Sequence, residues 1–564
     1  MNTVKATPSW VQRTLFVLVL IMLLIALPPG ALLHAQSQPG QPTQNQPAHN
    51  QPSPAPTQPN APAQSPSAQQ PATPAPPTGE PAQKGEVKIT PREAEELFHT
   101  VDEIMDFDSK QTGLPIKHSV KRKLTSREQV VSYLTNHMND EDTKRLRRSE
   151  LVLKKFGLLP REFDLETFLV ALLKEEVAGY YDPKTKTVNL LDWVPMEEQE
   201  PVMAHELTHA LQDQAVNLNK WMKKGEKDLG ELKHDPTPED IENDEIDDTR
   251  EAVLEGQAQA MMFQYAIAPT GHSIENSPAL VDAMEEETLT GTAGTTVFNE
   301  APIFLKESLT FPYSYGMNFV IKLMQTGGKE KAFAGLLKNP PHTTRQIMQP
   351  ETYISGEKID PIPVPDFSHD FENYRKFDIG AMGEFDVDVL IEQYLGKSAA
   401  KKIYPDWRGG YYYAAKSKTD KAAPLGLLYV SRWSGPEAAA QFAGIYAQSL
   451  KQRYKTVNEQ GDPTPAAEKV VDKPTEADPP TDQSTDQSTN DKPGGDKKDG
   501  DKKERKADEK PLPAPLTGRH VWTTDEGTVV IEEQGDTVLV SESLDPATTS
   551  KLEKEVFSAP PVSK

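Results

Sequence analysis

The sequence predicts an α+β protein: a mainly helical unit with a small sheet beside one of its helices, and a smaller α+β unit near the carboxy end. Three observations carry this. Residues 87–360 show mostly the helical period of apolar positions. Gly179 to Leu191 instead alternates around Asp182 and Pro183, as a hairpin does. Val521 to Val540 alternates again between Gly527 and Gly535. With 564 residues, 50 Pro and only 36% hydrophobic residues, much of the chain must lie outside these units.

Lys5 and Arg13 precede an apolar run from Leu15 to Leu27, then Pro28, Pro29 and small residues to Ala35. Residues 1–35 read as a signal peptide or an uncleaved membrane anchor, and either one places the rest outside the cytoplasm, secreted or held at the membrane. Residues 36–86 form a Pro/Gln-rich linker; 13 Pro fall between 36 and 80, with no Lys or Arg. Such a segment has no apolar area with which to offset ordering entropy. Helices are expected at Pro91 to Val101, opened by Thr90 and Pro91, at Ser126 to Met138 and at Lys144 to Leu158.

Further on, Gly426 to Arg432 reads as a strand and Pro436 to Tyr454 as a helix, within a small α+β domain whose first part is 375–455. Residues 456–515 are a charged disordered insertion; 461–510 hold 14 acidic and 10 basic residues and no aromatic, Leu, Ile or Met. Residues 516–560 supply the closing strands and a helix at Pro546 to Phe557. So small a sheet is marginal alone, so it is expected to pack back onto the part before the insertion.

Composition excludes several functions. Counting 61 basic against 85 acidic residues gives a net charge of −24, which argues against nucleic acid as a partner. Cysteine is absent, so thiol catalysis and thiolate-bound metal are excluded, and any metal takes nitrogen and oxygen ligands.

The chemical signal is AHELTHALQDQ, Ala204 to Gln214. On a helix His205 and His209 lie one above the other and can reach one cation. Glu206, about 100 degrees round the helix from His205, can act as general base on a water polarised by that cation. Imidazoles suit Zn2+, which in catalytic sites takes three protein ligands and leaves a position for water. Glu255 is the candidate third ligand. It sits in REAVLEGQAQAMMFQYA, an apolar run in which a bare carboxylate would be costly, while Gly256 permits close approach of another helix. Glu251, one turn earlier, is its rival, or else pairs with Arg250 or supports the ligands.

The HELTHALQDQ helix with the later EGQA helix resembles the gluzincin branch of zinc metallopeptidases, and is similar to a group of exported bacterial proteins carrying the same helix. The likeness runs roughly over 90–355, including FPYSYGMNFV and PPHTTRQIMQPETY. It implies a zincin-like metallopeptidase domain over 87–360, zinc on His205, His209 and Glu255, Glu206 as base, and a peptide or protein substrate. The sequence departs from the branch in two places. Glu255 follows His209 by 46 positions, a longer gap than the best-known members show, and Gln259 stands where they carry an acid. Orientation of His209 then falls to Asp213 on the same helical stripe, unless Asp213 faces solvent.

A donor to the developing oxyanion is sought in Tyr313, Tyr315 and His342; Pro312 and Gly316 mark a turn or helix start around the tyrosines. Arg345 either holds a substrate carboxylate or pairs with Glu351. Trp221 to Asp248, charged and broken by prolines, reads as a surface excursion. Tyr404, Trp407, Tyr411, Tyr412, Tyr413, Trp433 and Trp522 either fill the core of the small domain or present a glycan-binding face to the cell envelope. The other functional class is a catalytically inactive metallopeptidase-like protein that binds or scaffolds in the envelope.

Overall fold

The computed structural model describes residues 89–130, 132, 140–175, 179–194, 196–223, 229, 234–284, 296–460 and 510–558. The leader expected at 1–35, the linker at 36–86 and most of the charged segment lie outside the described residues. No described helix is long and apolar enough to cross a membrane.

The chain forms a mainly helical part with a three-stranded sheet, and a larger sheet-and-helix region toward the carboxy end. Helix α1, Pro91–Thr112, opens with a capping box: Thr90 Oγ1 accepts from Glu93 N and the Glu93 carboxylate accepts from Thr90 N. Gly113, at φ 73°, closes it in the left-handed conformation that a side chain disfavours. Strand β1, Lys121–Thr125, and helices α2, Asp140–Phe156, and α3, Leu165–Glu175, follow. The expected hairpin is present as β2, Tyr180–Asp182, and β3, Thr187–Leu191; β3 also pairs in parallel with β1, giving the order β1-β3-β2.

Three helices build the site. α4 is Met196–Val216, α5 is Ile246–Ile267 and α6 is Ile303–Glu330. Helix α5 is buried along almost its whole length, because α4 and α6 cover it on two sides. At its crossing with α6, a Cβ on Gly256 would come within 2.2 Å of the Gly316 carbonyl carbon, and one on Gly316 within 2.2 Å of Ala252 O. The two backbones therefore touch, as Gly256 foreshadowed. The segment around Tyr313 is the interior of α6, with Pro312 inside the helix, rather than a turn or helix start.

The second sheet has seven antiparallel strands in the order β4-β5-β6-β10-β9-β8-β7. These are β4 Tyr374–Ala381, β5 Trp407–Ser417, β6 Gly426–Trp433, β7 Val457–Gln460, β8 Gly518–Thr524, β9 Gly527–Gln534 and β10 Thr537–Glu542. Helix α7, Glu384–Leu395, and α8, Pro436–Arg453, pack with it, and α9, Pro546–Ser558, ends the described chain. Strands from both sides of residues 461–509 thus share one sheet, with β10 of the later part hydrogen-bonded to β6 of the earlier. Strand β7 lies inside 456–515; its VNEQ sequence is short and polar, and pairing to β8 is what orders it.

Both faces of this sheet are covered. Tyr412, Ala414, Leu427 and Tyr429 face the core shared with the helical part, while Tyr411, Tyr413, Leu428 and Leu539 face a second core with Phe367, Phe371 and Leu552. Trp407, Tyr411, Tyr412, Tyr413, Trp433 and Trp522 are all buried and fill cores, while Tyr404 is half-buried. The two parts are joined by buried Glu542, which accepts from Arg453, Tyr446 and Tyr454, while Arg453 also donates to Lys155 O on α2.

Two expectations are corrected here. Asp240, Asp244, Glu245, Asp247 and Asp248 are buried, so the acidic end of the Trp221 to Asp248 segment is no surface excursion. It folds under the turn at Thr344, whose N–H and hydroxyl donate to Glu245 at 2.8 and 2.6 Å. Arg345 is also buried, and pairs with Glu384 at 2.8 Å and Glu357 at 3.0 Å, whereas Glu351 pairs with Lys322. An arginine so engaged is not free to take a substrate carboxylate.

Replacing Gly256 by Ala forces backbone atoms apart, and a loss of at least about 1–3 kcal/mol is expected; an unchanged urea midpoint would refute the close crossing. Burial, with Asp386 adding to it, lifts the Glu245 carboxyl to about 7 against the Thr344 hydrogen bonds, and burial lifts Asp386 to about 6. Both folded values lie above the unfolded ones, so the folded state holds protons the unfolded chain has released. Their contribution is full at low pH and is lost as pH rises toward 8. Glu245→Gln is expected to flatten the fall in stability between pH 5 and 8, read from urea unfolding at each pH.

Candidate metal centre

His205 and His209 lie one turn apart on α4, and Glu255 meets them from α5. Their ligating atoms converge: His205 Nε2 to Glu255 Oε2 is 3.1 Å, His209 Nε2 to His205 Nε2 is 3.1 Å, and His209 Nε2 to Glu255 Oε2 is 3.4 Å. A tetrahedral ion with bonds near 2.0–2.1 Å holds its ligands about 3.3 Å apart. The three atoms therefore form one face of such a tetrahedron, leaving a fourth corner. The cluster is compatible with a divalent metal site built of two nitrogens and one oxygen.

The electrostatics also fit a cation. Burial raises the Glu255 carboxyl, but the charge of His209 and hydrogen bonds from both imidazoles outweigh this and hold it down at about 2. Burial lowers His209, yet Glu255 and then Glu206 lift it to about 9, whereas burial keeps His205 below its ordinary value. The two imidazoles and the carboxylate thus draw one positive charge to the point they share.

His209 is oriented by a buried amide relay. Its Nδ1 lies 2.8 Å from Gln212 Oε1, and Gln212 Nε2 donates to Leu254 O and to Gln257 Oε1, both at 3.0 Å. Gln257 Nε2 in turn donates to the carbonyls of Ala332 and Phe333, in the π-helical turn Lys331–Gly335 that follows α6. With Gln212 Nε2 committed to two acceptors, its Oε1 must accept from His209 Nδ1–H. With Nδ1–H held in this way, the proton His209 shares with Glu255 sits on Nε2, and a metal ion that replaces it takes the Nε2 lone pair. His205 Nδ1 is buried without a hydrogen bond of ordinary geometry, and Gln259 stands beside it.

Asp213 does not orient His209 and does not face solvent. It accepts from Tyr181 OH at 2.8 Å, from Lys186 Nζ and from Leu218 N at 3.0 Å. It ties α4 to the hairpin instead. Glu206 is buried beside the cluster and accepts from Tyr181 N of β2 at 2.6 Å. Burial, reinforced by Glu255 and opposed by His209 and the Tyr181 N–H, raises its carboxyl to about 7.

Of the three oxyanion candidates the structure brings one to the cluster. Tyr313 stacks on His205, with ring centroids 6.1 Å apart, and its hydroxyl neighbours Glu255. Tyr315 points elsewhere, its hydroxyl 3.4 Å from Asp388 of α7. Two residues apart on a helix, the pair is separated by about 200 degrees, so one facing the cluster turns the other away. His342 is exposed, its backbone N–H donates to Gln346, and no hydrogen bond of the cluster reaches it. Glu251 is buried one turn before Glu255, and burial with the charges of Glu255 and Asp247 pushes its carboxyl well up. Arg250 does not serve it, since that guanidinium donates to Met222 O and lies over Trp221.

Gln212, Gln257 and the Tyr181 N–H were missed by sequence reasoning. For Gln212 a signal existed: three residues after His209, it shares that helical face. Compared with protein-family models, curated proteins and solved structures, the chain matches none.

Gln212→Ala is expected to weaken binding of a divalent metal about 10–100-fold while the fold persists; titration against a competing chelator reads this directly. Asp213→Asn serves as the contrast and should leave metal affinity within a few-fold, because its contacts go to the hairpin and the loop after α4.

Proposed function

We propose that this protein is an exported, zinc-dependent peptidase of the gluzincin type, acting on peptide or protein substrates outside the cytoplasm. The observation that carries the reading is the convergence of His205 Nε2, His209 Nε2 and Glu255 Oε2 on one point beside Glu206. Zn2+ bound there would supply Lewis acidity to a water and to the scissile carbonyl.

The residues divide the remaining work. Glu206 takes a proton from the attacking water as its oxygen bonds to the carbonyl carbon, then delivers that proton to the leaving nitrogen as the C–N bond breaks. The Tyr181 N–H fixes the Glu206 carboxylate against the helix. Tyr313, whose hydroxyl burial keeps protonated, is the donor to the former carbonyl oxygen as charge grows there. Strand β2 lies at the edge of its sheet next to these groups, where an extended peptide can pair. The apolar segment at 15–27 supports export, with the mature chain secreted or anchored at the membrane.

One observation favours a second reading. His205, Glu206, His209 and Glu255 are only 1–3% exposed, so a substrate reaches them only when the covering elements part. A metal held in a closed site is also what a catalytically inactive scaffold of the envelope would have.

Glu206→Gln separates the two. A peptidase loses turnover by several powers of ten while its zinc content stays at the wild-type level; a scaffold keeps its function. Tyr313→Phe is expected to lower kcat by roughly 10²-fold with little change in KM, and an unchanged kcat would remove Tyr313 from the mechanism.

A further inference from the structure

A second group of metal-ligating side chains lies far along the chain from the first, on the outer face of the seven-stranded sheet. The short helix Phe367–Asp370 and the last described helix, α9, pack there over the core of Phe367, Phe371 and Leu552. Between them His369, Asp370 and Glu555 place one imidazole nitrogen and two carboxylate oxygens within 4.8 Å of one another.

The details resemble a site rather than a surface cluster of acids. His369 Nδ1 is 3.1 Å from Asp370 Oδ1. Asp370 is 2% exposed, and its other oxygen is buried with no basic donor beside it, its neighbour being the Glu555 carboxyl. Among the described residues, His369 is the one basic group in ion-pair contact with Asp370. Glu555 is itself steered into place, because its Oε2 accepts from Asp366 N at 2.9 Å. Two carboxyl groups and one imidazole thus face one point, and a divalent ion bound there would hold both carboxylates charged.

We propose that His369, Asp370 and Glu555 form a second zinc site that pins α9 to the sheet. The imidazole selects a borderline ion such as Zn2+ over Ca2+, which prefers oxygen ligands alone. The His369 side chain is 62% exposed and the Glu555 stem is long, so both can close to coordination distance by side-chain rotation. Water then completes the shell on the exposed side. The role is structural: the ion joins a helix near the carboxy end to the segment before β4, across the outer core.

The test is zinc content per chain, measured on the full-length protein after saturation with Zn2+ and dialysis against metal-free buffer. Two zinc ions are expected in the wild type and one in His369→Ala and in Glu555→Gln. The double variant His205→Ala/His209→Ala should also hold one. Excess Ca2+ should displace neither, and amide hydrogen exchange in α9 should quicken in His369→Ala and in Glu555→Gln but not in His205→Ala/His209→Ala.

Wild-type zinc content in both His369→Ala and Glu555→Gln overturns the proposal, and so does a folded His205→Ala/His209→Ala variant holding no zinc. Displacement by Ca2+ overturns the zinc assignment. The exposed position of His369 keeps its variant foldable. A wild type holding one zinc that leaves with His369→Ala, but not with the His205/His209 pair, would sustain this site and sink the first.

Discussion

Contact between the backbones of α5 and α6 is the constraint from which the centre of this protein follows. With no Cβ at Gly256 or Gly316, the two helices approach until their main chains meet, a distance that Ala at either position would prevent. That approach sets the height of Glu255 against α4 and brings Tyr313 from α6 over His205. A carboxylate, two imidazoles and a phenol from three helices then occupy one small volume. None of them has freedom to move away, because interiors packed this tightly do not deform continuously.

Around that volume, uncharged groups do the orienting. Gln212 and Gln257 pass the hydrogen bond of His209 to backbone carbonyls in a π-helical turn, a wider turn that often marks functional positions. An acid in place of Gln212 would add a further negative charge to a neighbourhood already holding Glu206, Glu251 and Glu255. The amide selects the tautomer without that cost. Asp213, which does carry charge, is spent on the hairpin, where Lys186 and the Tyr181 hydroxyl answer it. The same hairpin gives its Tyr181 N–H to Glu206, so one element both braces α4 and aims the Glu206 carboxylate.

Much of this was legible in the residues. Spacing of four placed both histidines on one stripe, and the apolar run around Glu255 marked a carboxylate that needed a cation. The alternation at 179–191 announced the hairpin, and Gly256 the close helix. What stayed hidden depended on helical phase and on partners distant in sequence. Tyr313 and Tyr315 could not be ranked without knowing that both lie inside α6, since Pro312 and Gly316 look like punctuation. Asp213, at i+4 from His209, draws attention by its charge, but the uncharged Gln212 at i+3 is the residue that reaches Nδ1. The buried acids at 240–248 looked like solvent-facing residues because their partner, Thr344, lies about a hundred positions later. Arg345 could be matched to its nearest acid in sequence, but the acids that hold it are Glu357 and Glu384.

The order of the large sheet carries a consequence for how the chain is made. Strand β10 inserts between β6 and β9, so the inner edge of β6 has no neighbour until residues after 536 have been synthesised. At ordinary elongation rates the hundred or so intervening residues occupy the ribosome for roughly 5–20 s. Throughout that interval Leu427, Leu428, Tyr429 and Val430 present an unpaired apolar edge of the kind that recruits other nascent chains. A chain kept unfolded until it is complete escapes the hazard.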